Sequence, residues 1–127
     1  MPRPIHFEIH ADDPERAMAF YSGLFAWSFE YYMNDYWSVV TGEEGTPGIN
    51  GGLVRRRGPR PTEGQPVSAF VCTLDVPSVD ETLEQVTAAG GTVAEPKMPI
   101  PGMAWLAYCL DTEGNLFGIF EADPSAA

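Results

Sequence analysis

Residues 5–27 read IHFEIHADDPERAMAFYSGLFAW, and this stretch decides the fold. IHFEIH alternates with the two-residue period of a strand, setting Phe7 and Ile9 toward a core and His6, Glu8 and His10 on the opposite face. Asp13 is placed to cap a helix, and Pro14 stands where its missing N–H costs nothing. Ala17, Phe20, Tyr21 and Leu24 then recur at helical spacing, which predicts one apolar helix face.

The plan restarts about 65 residues later. Residues 68–76, SAFVCTLDV, read as a strand with Phe70, Cys72 and Leu74 toward a core and Val71 and Thr73 on the other face. A helix follows in VDETLEQVTAAGG, with Val79, Leu83 and Val86 as its stripe and Gly90–Gly91 as its stop. Shifting by 65 sets Ala11 on Val76, Glu15 on Asp80 and Met18 on Leu83. Three strand-like stretches follow each helix, at 27–33, 36–41 and 50–56, then at 92–96, 104–110 and 115–121. The fold class predicted is α+β, two tandem βαβββ modules at about 1–60 and 66–127, joined by the Pro/Gly-rich 57–66 into a single domain over 1–127.

The composition narrows the partners. The 127 residues carry 7 Lys+Arg against 18 Asp+Glu, a net charge of −11. Arg55, Arg56, Arg57 and Arg60 hold four of those basic charges, so a phosphate backbone is repelled almost everywhere else and nucleic acid is excluded as a partner. The arginine cluster itself reads as a solvated connector rather than an anion site. No apolar run reaches the ~18–20 residues that span a bilayer, and the N-terminus lacks an apolar signal core, so no membrane is expected and the cytoplasm is the expected location. Cys72 and Cys109 stand apart in apolar segments and read as buried free thiols.

The opening 23 residues, together with DTEGNLFGIFE at 111–121, resemble the vicinal oxygen chelate superfamily, the glyoxalase, bleomycin resistance protein and extradiol dioxygenase family. Ala26 stands where Gly is commoner in its helix exit, and Thr112 where Pro is commoner in its closing turn. The resemblance implies two βαβββ modules curling into a cup-shaped mixed sheet with helices outside. It also implies a homodimer and, in metal-binding members, four ligands. Those four positions fall on His6, Val71, Gly52 and Gly118. Only His6 is a donor, and a divalent metal needs three or four protein ligands in most stable sites. No cofactor is therefore expected, and a divalent metal is disfavoured. A site improvised from His6 and Glu8 with Glu121 or Asp75 would be foreign to the family.

Alternation gives the candidate ligand-binding residues: His6 and Glu8, Val71 and Thr73, with Gly52 and Gly118 widening the cavity. Tyr31, Tyr32, Tyr36 and Trp37 in the first module, and Met98, Met103, Trp105 and Tyr108 in the second, supply aromatic and thioether walls. Trp37 and Trp105 are the ring candidates for a flat or cationic ligand. Three functions fit. The first is a metal-free binder of a small, aromatic or cationic molecule. The second is a metal-independent or atypical lyase or isomerase with His6 and Glu8 as its acid/base pair. The third is a non-catalytic dimeric interaction module. Residues 42–50 and 96–103 read as turn-rich connectors, with lids as the alternative.

Overall fold

The computed structural model describes residues 2–62 and 64–127. Its elements are β1 (Pro4–Ala11), α1 (Pro14–Phe25), β2 (Ser28–Met33), β3 (Tyr36–Val40), β4 (Gly51–Arg55), β5 (Val71–Asp75), α2 (Val79–Ala88), β6 (Thr92–Ile100), β7 (Ala104–Leu110) and β8 (Leu116–Ala122). This is the α+β, twice-repeated βαβββ order expected. The contacts form two compact units, one over His6–Phe70 and the other over Val71–Ala127 with the residues up to Ile5. No helix among the described residues is long and apolar enough to cross a membrane.

In the first unit the strand order is β2-β3-β4-β1. Phe7, Ile9, Ala11, Val39 and Leu53 are its buried core, and Ala17, Met18 and Tyr21 of α1 pack on them. The helix begins as predicted, with the Asp13 carboxylate accepting the Arg16 N–H and Pro14 in the first turn. Its inward stripe is rotated from the expected one. Phe20 and Leu24 are 57% and 61% exposed, and Met18 takes an inward position instead. Phe70 also departs from expectation. It is 45% exposed and stacks on Phe7 of the first unit at 5.6 Å. β2 and β3 are joined through Asn34 and Asp35, both at positive φ, as a tight hairpin turn requires.

In the second unit the order is β5-β8-β7-β6. Val76, Val79, Ala107, Cys109 and Ile119 are buried, with Leu74, Leu83 and Val86 against them, so the stripe predicted for α2 faces inward. Ser78 caps this helix by accepting the Glu81 N–H. Cys109 is buried as expected, but Cys72 is exposed. β6 runs to Ile100 and overtakes most of the 96–103 connector, leaving a turn at 101–103. The 42–50 connector is tied at its base, where the Asn50 side chain accepts the Thr41 N–H at 2.9 Å.

Candidate functional site

The functional candidates of the first unit stand on the sheet face away from α1. β1 and β4 run parallel with Glu8 beside Gly52, and β3 runs antiparallel to β4 with Ser38 beside Gly52 and Tyr36 beside Val54. The pleat therefore turns Glu8, Gly52, Ser38 and Tyr36 to one side, and Ile9, Leu53, Val39 and Trp37 to the other. The Tyr36 ring lies over Gly52, and a Cβ there would overlap its hydroxyl. That hydroxyl is 3.0 Å from His6 Nε2. Beside this pair Glu8 Oε1 lies 3.1 Å from His10 Nε2, with side-chain exposures of 14% for Glu8 and 33% for His10.

Burial sets the protonation of these groups. It pulls His6 below its ordinary 6.5, with the Glu8 charge opposing in part. It pushes Tyr36 up to about 12, with Glu8 adding to the effect. At neutral pH the pair is thus a neutral imidazole against a neutral phenol. The phenol donates to Nε2 when the imidazole carries its proton on Nδ1, and accepts in the other tautomer.

The second unit has the same backbone device. Thr73 and Tyr108 both pair with Gly118. A Cβ on Gly118 would come to 2.6 Å from Thr73 Oγ1 and 3.3 Å from the Tyr108 ring. Val71 and Thr73 are buried, at 8% and 4% exposure.

Several expected residues are placed otherwise. The room predicted at Gly52 and Gly118 is filled, by Tyr36 in one unit and by Thr73 and Tyr108 in the other. Trp37 packs against the first core and Trp105 against the second, so neither shares a face with its unit's glycine. Trp105 also donates to Asp123 at 3.0 Å and carries Lys97 Nζ 4.5 Å over its ring. Glu121 accepts the Val79 N–H at the start of α2. Tyr36, expected only as one of several aromatic walls, is the residue the structure sets against His6 and Gly52. Among the described residues, no three His, Cys, Asp or Glu side chains converge as a metal-holding group.

Two βαβββ units, each with a glycine paired to a polar residue on the face away from its helix, define an α+β protein of the glyoxalase type. Residues 6–120 match the model of the glyoxalase-like domain, and the chain belongs to that family, within the vicinal oxygen chelate superfamily. A glyoxalase/bleomycin resistance protein/dioxygenase superfamily member from Vibrio splendidus 12B01 has a TM-score of 0.64 at 13% identity, covering 95% of this chain and 99% of that one. Methylmalonyl-CoA epimerase from Mycobacterium tuberculosis likewise gives 0.64 at 13%, over 95% of this chain and 88% of its own. Homoprotocatechuate 2,3-dioxygenase from Brevibacterium fuscum gives 0.66 at 15%, over 98% of this chain and 37% of its own. At such identities the likeness is one of fold. No curated protein matches the chain.

Proposed function

We propose that the first unit binds a small neutral or cationic molecule, aromatic in character, on the His6–Glu8–Tyr36 face, without the metal ion of metal-binding superfamily members. The observation that carries this reading is the Tyr36 phenol seated over Gly52 and hydrogen-bonded to His6. A phenol held up to about 12 keeps its proton and is a poor metal ligand. The other family positions, Val71, Gly52 and Gly118, bring no side-chain donor, so the donor set does not fit a divalent ion. Glu8, largely shielded from water, supplies the negative charge that favours a cation.

Metal analysis of tag-free protein is expected to find far less than one equivalent of Zn, Ni, Fe or Mn, unchanged by His6→Ala or Tyr36→Phe. Stoichiometric metal that disappears in His6→Ala overturns the reading. Benzamidinium is expected to bind saturably in calorimetry, and Glu8→Gln to weaken it about tenfold, the scale of one charge-assisted hydrogen bond.

A second reading rests on His6 being held neutral. A neutral imidazole beside a carboxylate can accept a proton, as a lyase or isomerase requires. Turnover of 2-oxoaldehyde–thiol adducts that vanishes in His6→Ala would favour it. The exposed Leu24 and Phe25 at the end of α1 support a homodimer, which light scattering tests. An exposed free thiol at Cys72 supports a reducing, cytoplasmic setting.

A further inference from the structure

The arginine cluster of the sequence has no part in the His6 site, yet it borders a cleft of about 310 Å³ in the same unit. Three of the chain's seven basic residues, Arg16, Arg56 and Arg60, line this cleft, at the end of β1 and beside α1. Arg56 is fixed. Its Nε donates to Asp12 Oδ1 and its Nη2 to the His10 carbonyl, both at 2.9 Å. Its backbone N–H also donates to the Ala11 carbonyl at 2.8 Å, so it has a structural role in joining the ends of β1 and β4.

The other two arginines have no such role. Arg60 Nε reaches Asp12 Oδ2 only at 3.7 Å, and its side chain is 71% exposed. Arg16 makes no side-chain ion pair among the described residues.

The two carboxylates of the cleft are already engaged. Asp12 faces Arg56 and Arg60, and Asp13 caps α1 by accepting the Arg16 N–H. What remains is an excess of guanidinium donors, in a chain whose net charge is −11. One turn beyond Arg16 on the same face of α1, the lining turns apolar. Phe20 is 57% exposed there and meets Tyr21 edge to face, with ring centroids 5.2 Å apart.

Guanidinium groups beside an exposed aromatic ring, in a volume suited to a single ring, match one ligand chemistry. We propose that this cleft binds a small aromatic oxyanion, a carboxylate or phosphate carried on one ring. The cleft borders the His6–Glu8–Tyr36 face at His10, which lines it and meets Glu8, but its charge preference is opposite.

The test is calorimetry on the full chain with benzoate, phenyl phosphate and inorganic phosphate. Saturable binding of benzoate or phenyl phosphate is expected, about tenfold weaker in both Arg16→Gln and Arg60→Gln, and unchanged in Glu8→Gln. Phe20→Ser is expected to weaken the aryl ligands and leave inorganic phosphate unaffected. These side chains are exposed, so folding is retained, which thermal melts verify. No saturable binding, or binding unaffected by both arginine substitutions, overturns the proposal. Equal affinity for phenyl phosphate and inorganic phosphate also overturns it, because the aromatic wall would then contribute nothing. Loss of benzamidinium binding alone would instead count against the function proposed for the His6 face.

Discussion

The two units use one backbone arrangement for different chemistry. In each, a strand after the helix carries a glycine, Gly52 or Gly118, paired to the unit's first strand at Glu8 or Thr73. In the first unit the neighbouring side chains are His6, Tyr36 and His10, all ionisable. In the second they are Val71, Asp75, Leu106 and Tyr108, of which the tyrosine and the exposed Asp75 can ionise. The core positions match more closely than the site positions do: Ala11 and Val76 are both buried, and Met18 and Leu83 both pack inward. Burial of apolar surface holds the repeated fold together, whereas a polar group on the other face is constrained only by whether it finds a partner. The part-buried imidazole–phenol pair, His6 with Tyr36, therefore belongs to the first unit alone among these positions.

The comparison breaks most visibly at the glycines. Gly52→Ala and Gly118→Ala are each expected to cost about 1–3 kcal/mol in denaturant unfolding, the usual range for overpacking. The relief should be specific to each unit: Tyr36→Ala recovers part of the first loss and Thr73→Ala part of the second. Cross-combinations that recover as much would show that the two glycines do not serve their own units.

The helix exits give a smaller and mirrored effect. Ala26 closes α1 at φ 59°, and Gly90 follows α2 at φ 99°. A side chain is disfavoured in that left-handed region, so Ala26→Gly should stabilise by about 1 kcal/mol and Gly90→Ala should destabilise by a similar amount. Thermal melts that move in the same direction for both would contradict the shared exit geometry.

The finest distinction is electrostatic. Glu8 raises both His6 and Tyr36, so Glu8→Gln should lower His6 further below 6.5 and bring Tyr36 down from about 12 toward its ordinary 10.0. NMR titration reads the first, and tyrosinate absorbance compared with Tyr36→Phe reads the second. His6 binds its proton more weakly folded than unfolded. Its contribution to stability is thus complete above pH 6.5 and lost as the pH falls from 6.5 toward the lower folded value. His6→Asn should flatten that part of the profile, and an unchanged slope would place the titrating group elsewhere.

Local periodicity made much of this molecule legible from residues alone. The Asp13–Pro14 helix start, the repeat of elements and the burial of Phe7 and Ile9 all depend on neighbours within one turn or one pleat. The polar face of β1 could be read in the same way, because its alternation is clean. In YWSVV and AWLAYCL both parities carry bulky apolar groups, so the outward turn of Tyr36 and Tyr108 and the inward turn of Trp37 and Trp105 waited on pairing with β4 and β8. The exposure of Cys72, the rotation of α1 that leaves Phe20 and Leu24 uncovered, and the gathering of Arg16 with Arg56 and Arg60 waited on packing as well. Tyr36 over Gly52 is the clearest case. Composition explained why the space at that glycine could exist, but only the register between strands far apart in the chain decided that a phenol fills it and bonds His6.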